Sequence, residues 1–467
     1  MQFHRVPAIV LTSLLLSCCG SAQSVNTLPT ELRGKIDAVA GQVLSQTGVP
    51  SASVAVVLDG KVAYTHGYGL ATLTPAKPAT PEMRYSIGSI SKQFTAAALL
   101  ILQEQGKLSL DDKVAKYLPK LTRADEITLR MVVSHTSGYQ DYWAEDYVMP
   151  PMLHPAAADE IMHDWAMKPL DFDPGTRWQY SNTNYVIAGR IAEMASGEPL
   201  FLFLQEHIFV PLGMKSVWDS DATKLTGTDA TAYYRHALGP LRVAPKEGKG
   251  WMFAAGELAM TAHDLALWDV SLMAQNILKP ESYRQMFTEV KLKDGTETGY
   301  GLGVFVKNEK DGLTVEHSGE VSGFVSDHIV GIDKKYAVVV LTNQDASPAA
   351  SRIAGGVAKL LASRTTSPGA AEALAQKILE GLQQGRIDRS LLAPNCDAYF
   401  SQEALDDFAA SLGPLGPVLS IQQRGDSLRG GMSYRGFLAT FATKRVRIST
   451  YTYPDGKIEQ YLVEPAE

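Results

Sequence analysis

The sequence predicts an α/β (α+β) fold, in which a mostly antiparallel sheet is flanked by helices and carries an inserted helical lobe. Strand-like, valine-rich runs lie near both ends of the larger part of the chain, for example residues 52–58 and 336–341. The stretch between them, residues 110–292, has mostly helical patterning. A polar segment, residues 363–369, then separates a last portion that predicts a small C-terminal α+β domain. Strands from both ends of such a region pair most compactly in one sheet whose faces the helices cover.

The N-terminal segment predicts one helix followed by a hairpin. Thr30 is a suitable N-cap for a helix over residues 31–46, because its hydroxyl can accept a hydrogen bond from the first turn. Residues 52–58 predict a strand, and residues 61–70 predict its partner. Asp59-Gly60 lies between them and is typical of a hairpin turn.

The middle of the chain predicts helices. The apolar run over residues 94–102 has the spacing of a buried helix, and Gly106 follows it as a stop signal. A short helix is predicted from residue 110 to about residue 119, and another over residues 127–135. The remaining region up to residue 292 is interrupted by prolines, which mark its loops. This part would form the inserted helical lobe.

From residue 300 the patterning changes from helix to strand. Strands are predicted over residues 300–306, 313–317, 325–332 and 336–341, and an apolar helix over residues 349–361. The polar segment after this helix contains Pro368-Gly369 and predicts a linker. We therefore divide the chain into a leader over residues 1–22, a large domain over residues 23–365 and a small domain over residues 366–467.

The small domain predicts an α+β arrangement that carries no catalytic motif. Its amphipathic helix is predicted over residues 372–383, and strands over residues 438–443, 446–453 and 458–463. Cys396 beside Asp397 is better interpreted as a buried cysteine than as a site. A binding role of this domain toward a partner or the cell wall remains open.

Composition and motif content exclude several function classes. The 467 residues are 45% hydrophobic and 20% charged, as in an ordinary soluble globular protein. A net charge of −7 argues against nucleic acid as a partner. Outside the first 22 residues Cys396 is the single cysteine, and no H-E-x-x-H spacing occurs, so we expect no metal site. The expected partner is a small-molecule or short-peptide substrate.

Residues 1–22 have the pattern of an export signal. The apolar stretch over residues 6–16 is too short to span a bilayer, and Gly20-Ser21-Ala22 offers small residues for cleavage. A second interpretation remains open, because Leu15-Leu16-Ser17-Cys18 resembles a lipoprotein processing box with Cys18 as the lipid anchor. We favour soluble export because the leucine two places before this cysteine is bulky. Both interpretations predict an exported protein, periplasmic or secreted.

Ser89 and Lys92 form the pair with the strongest chemical implication. They lie three residues apart at the start of the helix predicted over residues 94–102, so they share one helical face. A serine becomes a nucleophile when a nearby base takes its proton, and a lysine can be that base once burial lowers its pKa. Free N–H groups at the helix start can stabilise negative charge on an attacked carbonyl. The competing interpretation is a capping serine beside a solvated lysine.

Two further motifs follow in the chain. They are Tyr180-Ser181-Asn182 and, at the end of a predicted strand, His317-Ser318-Gly319. Ser-x-x-Lys, Tyr-x-Asn and His-x-Gly each occur once, in this order. With these motifs residues 35–362 resemble the serine β-lactamase and penicillin-binding protein family, particularly its class C β-lactamase, D,D-carboxypeptidase and esterase branch. The resemblance implies a serine hydrolase that works through an acyl-enzyme without a cofactor.

The resemblance also implies roles for the residues of the first two motifs. Ser89 would attack the substrate carbonyl and carry the acyl group. Lys92 and Tyr180 would share the work of the base, since a lysine close to the phenol favours a tyrosinate. Asn182 would hold the amide group of the substrate and would orient Lys92 through its own carbonyl.

The third motif would complete the site as its substrate-binding edge. The backbone N–H groups of Ser89 and of Glu320, which follows Gly319, would form the oxyanion hole. His317 would face the distal end of the substrate or stabilise the proton network of Tyr180.

Two departures from the family pattern bear on the substrate. His317 stands where a lysine-led motif would have a permanent charge, and a mostly neutral imidazole binds a carboxylate less firmly. Glu320 stands where the family has a small residue, and its carboxylate would disfavour anionic substrates. We therefore expect ester or peptide carbonyls, including D-amino-acid peptides. Two alternatives remain open, a penicillin-binding sensor with slow deacylation and a class C-like β-lactamase.

Three further histidines, His66, His135 and His263, are predicted to be structural. His135 lies in a His-Thr-Ser-Gly turn that the resemblance makes part of the scaffold. His66 lies in a predicted strand without a partner nearby in sequence, which favours a core or surface position. His263 begins a helix that Thr261 would cap.

Overall fold

The computed structural model describes residues 25–145, 147–309, 312–362 and 370–466. The chain divides into two compact units, Met1–Ala362 and Ser363–Glu467, where the sequence predicted a boundary after residue 365. The predicted leader with Cys18 and the predicted linker over residues 363–369 lie outside the described residues. No helix within the described ranges is both long and apolar enough to cross a membrane.

The first unit is built around one antiparallel sheet. Among the described residues the strands of the whole unit, which form this main sheet and two smaller ones, are β1 (Ser51–Leu58), β2 (Lys61–Thr72), β3 (Lys77–Pro78), β4 (Tyr85–Ser86), β5 (Trp218–Asp219), β6 (Tyr233–Tyr234), β7 (Arg242–Val243), β8 (Leu258–Met260), β9 (Phe305–Glu309), β10 (Gly312–Val321), β11 (Phe324–Gly331) and β12 (Tyr336–Thr342). The main sheet has the order β3-β2-β1-β12-β11-β10-β9. Strands from both ends of the unit therefore meet at its centre, where β1 pairs with β12, and the predicted fold class is confirmed.

The helices of the first unit cover both faces of this sheet. Within the described residues they are α1 (Thr30–Thr47), α2 (Ser91–Glu104), α3 (Leu129–Val133), α4 (Ala158–Ile161), α5 (Asn182–Ser196), α6 (Leu200–Leu204), α7 (Val210–Leu212), α8 (Ala262–Ala274), α9 (Pro280–Phe287) and α10 (Ala349–Ala362). Successive side chains of β1 point to opposite faces of the sheet. Val54 and Val56 pack with α1 and α10, whereas Ala55 and Val57 pack with the helical lobe. Both sets are fully buried, which explains why residues 54–58 of β1 form an unbroken apolar run.

A buried polar network fixes α2 against its neighbours. His328 of β11 donates its Nδ1–H to Asp269 Oδ1 of α8 at 2.8 Å and accepts from the Gln93 amide of α2 at its Nε2 atom. Gln93 Oε1 accepts in turn from Trp268 Nε1 at 2.9 Å. Buried polar groups need such partners, so this network specifies how α2 is seated between sheet and lobe.

Three predicted elements differ from the structure. The predicted strand over residues 300–306 starts only at Phe305, because the Gly301 N–H donates to the Val304 carbonyl and the Leu302 N–H to the Met286 carbonyl, so this segment turns instead of joining the sheet. The predicted helix after residue 110 is reduced to a 3-10 turn, Val114–Lys116, since the N–H of Val114 donates to Ile127 instead. Thr30 is the first residue of α1 and makes no cap there.

The second unit is an α+β unit with its own core. Its described helices and strands are α11 (Ala370–Leu382), α12 (Pro394–Tyr399), α13 (Gln402–Leu412), β13 (Ser420–Arg429), β14 (Met432–Thr440), β15 (Arg445–Thr452) and β16 (Ile458–Pro465). The strands form an antiparallel sheet in the order β13-β14-β15-β16. Cys396 is buried in the core, as predicted, and burial raises the pKa of its thiol to about 11. A thiol in this state is unreactive.

Candidate active site

Ser89 and Lys92 lie side by side at the start of α2. Ser89 belongs to a 3-10 turn, Gly88–Ile90, that leads directly into the helix, and Lys92 occupies the first helical turn. The helix is apolar and buried from Ser91 to Leu102, so it holds the pair rigidly. Lys92 Nζ lies 2.8 Å from Ser89 Oγ, within hydrogen-bonding distance. The pair predicted from spacing is therefore brought together.

Lys92 has the surroundings of a base. Its side chain is completely buried, and its Nζ also lies 2.8 Å from both Asn182 Oδ1 and the Ala255 carbonyl oxygen. Burial lowers the pKa of Lys92 to about 7, and the opposing effect of the Asp141 carboxylate is smaller. When Lys92 is neutral, two N–H bonds can donate to Asn182 and Ala255 while the lone pair faces the Ser89 hydroxyl.

Tyr180 lies beside the pair but does not match the expected tyrosinate. Burial raises the pKa of Tyr180, and its side-chain hydrogen bond with Ser89 only partly opposes this effect. Its ring faces Lys92, with Nζ 5.0 Å from the ring centroid. The structure therefore favours a protonated phenol that donates hydrogen bonds, with Lys92 as the group that is neutral near pH 7.

Asn182 is held by Asp141, a residue that the sequence motifs did not indicate. Asp141 Oδ1 accepts from the Asn182 backbone N–H at 2.9 Å and from Trp143 N–H at 3.1 Å. Asn182 Nδ2 donates to Asp141 Oδ2 at 3.3 Å and to the Trp143 carbonyl at 3.2 Å. These contacts turn Asn182 Oδ1 toward Lys92, which agrees with its predicted orienting role. Both N–H bonds of the amide are used within the protein, so the predicted contact with substrate needs a rearrangement.

Two glycines bring the predicted oxyanion donors together. A Cβ atom on Gly88 would lie 2.7 Å from the Glu320 nitrogen, and one on Gly319 would lie 2.9 Å from the Ser89 nitrogen. The Ser89 turn and the end of β10 thus approach more closely than side chains would allow. The backbone nitrogens of Ser89 and Glu320 consequently flank one point of the cleft, where an attacked carbonyl oxygen could be held.

His317 is neutral and oriented by its neighbours. Its Nδ1–H donates to the Ser318 carbonyl at 2.6 Å, so Nε2 accepts from the Tyr300 hydroxyl at 3.1 Å. Burial, together with the smaller effect of the nearby Lys92, lowers the pKa of His317 to about 3. His317 therefore carries no charge at physiological pH and offers no ionic partner to a substrate carboxylate.

His135 supports the Tyr180 loop, in keeping with its predicted scaffold role. It lies at a φ of +61°, and its Nδ1 accepts from the Ser181 N–H at 3.2 Å. Its ring lies 4.4 Å from the Tyr180 ring and 5.0 Å from the Tyr300 ring. Burial lowers the pKa of His135 well below its usual value, so the imidazole stays neutral. It positions Tyr180 by packing.

These groups line a cleft of about 590 Å³. Its charged lining residues among the described ranges are Asp141, Glu145, Glu320 and Asp345, all of which are acidic. Glu320 Oε1 accepts from the Ala346 N–H at 2.7 Å, which directs the carboxylate toward that loop. Trp143, Tyr147, Trp178 and Phe305 supply aromatic walls. The cleft therefore combines Ser89 with aromatic walls and several acidic side chains.

Every site residue named from the sequence lies at this cleft or directly behind it. Sequence reasoning missed Asp141, the Ala255 carbonyl and Tyr300. Asp141 lies three residues after the His135-Thr136-Ser137-Gly138 turn, and this position was the one hint of a role at the site. A single aspartate in a loop matches no motif that would identify it. The Ala255 carbonyl is a backbone group, so no residue type could indicate it.

Comparison with known proteins gives the context of this cleft. The sequence model of the family described as Beta-lactamase matches residues 36–362. Penicillin-binding protein 4* of Bacillus subtilis (strain 168) is 28% identical over 314 residues, covering 61% of this chain and 66% of that protein. A D-aminopeptidase of Brucella anthropi is 30% identical over 298 residues, covering 63% of this chain and 56% of that protein. The chain thus spans less than two thirds of the length of these curated relatives.

Among solved structures, an octameric penicillin-binding protein homologue from Pyrococcus abyssi superimposes with a TM-score of 0.62. The match covers 92% of this chain and 99% of that chain at 22% identity. At this level of identity the likeness concerns the fold alone.

Proposed function

This chain belongs to the β-lactamase family, and from this premise we propose that it is a serine hydrolase that acts through an acyl-enzyme on Ser89. The observation that carries the proposal is the 2.8 Å contact between Ser89 Oγ and the Nζ of a buried Lys92. A lysine whose pKa lies near 7 is partly neutral at physiological pH and can accept the serine proton.

The proposed reaction proceeds in two steps, acylation of Ser89 and hydrolysis of the acyl-enzyme. Ser89 Oγ attacks the carbonyl carbon while Lys92 takes the hydroxyl proton, and the Ser89 and Glu320 N–H groups hold the developing oxyanion. The bond to the leaving amine or alcohol breaks, and this group receives a proton through the adjacent Tyr180 hydroxyl and Lys92. Water then attacks the acyl carbon and gives a proton to Lys92, the ester bond to Ser89 Oγ breaks, and Lys92 returns the proton to Oγ as the carboxylic acid leaves.

The charge of the cleft supports a substrate with a free amino group. Asp141, Glu145, Glu320 and Asp345 attract a cation, whereas the neutral His317 gives a carboxylate no counter-ion. We therefore propose amides, peptides or esters of D-amino acids with an unblocked amino group. The similarity to a D-aminopeptidase supports this choice. A carboxypeptidase or a β-lactamase would have to bind a substrate carboxylate in the same acidic cleft.

Paired chromogenic substrates test this specificity. D-alanine p-nitroanilide carries the free amine, N-acetyl-D-alanine p-nitroanilide lacks it, and L-alanine p-nitroanilide tests the stereochemistry. We expect kcat/KM to be at least about tenfold higher for the free D-amine, which corresponds to one ion pair of about 1.4 kcal/mol. Ser89→Ala should abolish the activity on all three. Equal or faster cleavage of the acetylated compound would contradict the amine preference.

The second candidate function is penicillin recognition, which the similarity to a penicillin-binding protein favours. Intact-protein mass after mixing with benzylpenicillin, alongside Ser89→Ala, tests it. A long-lived, Ser89-dependent adduct would support a sensor or a D,D-peptidase. A short-lived adduct with drug consumption would support a β-lactamase, and the lack of both would remove this candidate.

We also propose that the protein is exported, on the basis of the leader pattern in residues 1–22. Cleavage after Ala22 would give a mature chain that begins at Gln23. The mass of the protein recovered from each fraction of an expressing bacterium tests the proposal. A diacylglyceryl adduct on Cys18 would favour the lipoprotein interpretation, and an uncleaved cytoplasmic chain would contradict both.

A further inference from the structure

Four aromatic side chains form a connected cluster of rings in the wall of the catalytic cleft. They are Trp178, Tyr180, Phe305 and His317, and each of them lines the cleft. The Phe305 ring centroid lies 6.0 Å from that of Trp178 and 5.4 Å from that of His317. The His317 centroid lies 6.3 Å from that of Tyr180. The loop before α5, the start of β9 and strand β10 thus build one aromatic part of the cleft together.

His317 and Trp178 offer no free hydrogen-bonding group to the cleft. The Nδ1–H of His317 donates to the Ser318 carbonyl oxygen at 2.6 Å, and its Nε2 accepts from the fully buried Tyr300 hydroxyl at 3.1 Å. The Nε1 atom of Trp178 is itself buried, so this side chain meets the cleft with carbon atoms. Together with Phe305, these two residues give the cluster an uncharged and mainly apolar surface.

The position of Tyr180 identifies the part of a substrate that lies against this cluster. Its hydroxyl bonds with the side chain of Ser89, and in the proposed reaction it passes a proton to the leaving amine or alcohol. A proton donor acts on an atom within hydrogen-bonding reach, so the leaving group must lie beside Tyr180. The neighbouring rings of His317 and Phe305 would then contact the substituent that the leaving group carries.

The charges of the cleft restrict this substituent further. Within the described ranges the lining residues include no lysine or arginine, so a carboxylate on the leaving group would find no counter-ion. Aromatic rings pack favourably against other rings, with centroids about 4.5–7 Å apart. We propose, on the basis of the serine hydrolase activity proposed above, that the four side chains form a subsite for the leaving group and that its occupant is an uncharged aromatic ring.

Three amides of D-alanine that differ only in the leaving amine test this subsite. The benzylamide carries an aromatic ring, the propylamide lacks it, and the 4-carboxybenzylamide adds a carboxylate to the same ring. We expect kcat/KM for the benzylamide to exceed that for each of the other two at least about tenfold. Chromatography of the released amine measures the rates, and Ser89→Ala should abolish all three.

The outcomes separate the subsite from the proposed function. Ser89-dependent cleavage of the propylamide or of the 4-carboxybenzylamide as fast as that of the benzylamide would overturn the assigned subsite and leave the serine hydrolase activity established. Lack of cleavage of all three compounds by the unmodified protein would contradict the proposed function and the subsite with it.

Two variants connect the preference to the ring cluster. Phe305→Leu keeps the surface apolar but removes a ring, so the ratio of kcat/KM for the benzylamide to that for the propylamide should fall about threefold to tenfold. Trp178→Leu should lower the ratio in the same way. The matched control is Tyr399→Leu, a change of an exposed aromatic side chain in the second unit, which should keep the ratio. An unchanged ratio in an active Phe305→Leu or Trp178→Leu protein would refute the role of the cluster.

Discussion

At the scale of single residues, burial decides the chemistry of this site. Lys92 is surrounded by two protein carbonyls and the Ser89 hydroxyl, and its burial lowers the pKa to about 7. Burial has the opposite effect on Tyr180, whose neutral form is the protonated phenol, and raises its pKa. The same physical cause therefore leaves the lysine partly neutral near pH 7 and keeps the tyrosine protonated.

The first prediction at this scale concerns pH. Below pH 7 Lys92 is protonated and has no lone pair for the Ser89 proton, so kcat/KM should fall about tenfold per pH unit. Above pH 7 the base is neutral and kcat/KM should reach a plateau. Rates between pH 5 and 8.5 on one substrate measure this profile. Lys92→Arg keeps the charge but stays protonated, and should lose about 10²-fold to 10⁴-fold in rate. A flat profile of the unmodified protein would contradict the role of Lys92.

The second prediction concerns Asp141, which we expect to position Asn182 and Lys92. The Asp141→Asn change removes the charge that raises the pKa of Lys92, so the acid limb of the profile should move to lower pH. It also removes one acceptor of the Asn182 contacts, and kcat should fall about tenfold. Asp111→Asn, a change on the surface, is the matched control. A lower rate with an unshifted limb would indicate a merely structural role.

At the scale of secondary-structure elements, the site depends on how closely the Ser89 turn approaches β10. The two glycines at this contact, Gly88 and Gly319, leave no room for a Cβ atom. The hydrogen bonds that join Gln93 of α2 to His328, and His328 to Asp269, fix the position of α2, into which the Ser89 turn leads. Element packing, more than any single side chain, therefore sets the distance between the two oxyanion donors.

The third prediction tests this contact with Gly319→Ala. The added Cβ would lie 2.0 Å from the Ile87 carbonyl oxygen, so the strand must shift. We expect activity to fall about 10²-fold, as for loss of an oxyanion donor, with a stability cost of about 1–3 kcal/mol. The matched control is Gly34→Ala in α1, where nothing lies within 4 Å of the added atom. Kinetics and chemical denaturation of both variants are compared, and wild-type activity in Gly319→Ala would disprove the role of the contact.

At the scale of the whole molecule, the chain consists of two units with separate cores. The clusters on the two faces of the main sheet lie entirely within the first unit, and a third cluster lies within the second. All of the residues that we assign to catalysis belong to the first unit. Each unit therefore has the internal packing that an independent domain requires.

The fourth prediction follows from this division. A truncated chain that spans residues 25–362 should fold on its own and keep kcat/KM within about twofold of the full chain, because its core and site are complete. Thermal unfolding and the chromogenic assay measure the two quantities. Loss of folding or of activity in the truncated chain would show that the second unit is required.

The sequence alone was sufficient for features that depend on local spacing. The valine-rich strands, the hairpin at Asp59-Gly60 and the apolar helix after Ser89 follow from side-chain periodicity, which is a property of neighbouring residues. The three motifs were sufficient to bring Ser89, Lys92, Tyr180, Asn182 and His317 to attention, but they did not indicate Asp141 or the Ala255 carbonyl. The predictions of a strand over residues 300–306 and of a helix after residue 110 were wrong. Backbone groups of these segments form hydrogen bonds with residues distant in sequence, and side-chain periodicity does not reveal such bonds.

Only the tertiary structure decided the properties that depend on distant residues. The lowered pKa values of Lys92 and His317 come from burial by several elements, and the orientation of Asn182 comes from Asp141, 41 positions away. The acidic character of the cleft arises because Glu145, Glu320 and Asp345 converge from separate parts of the chain. Charge, pKa and hydrogen-bond direction depend on the complete surroundings of a group, and these surroundings exist only once the chain has folded.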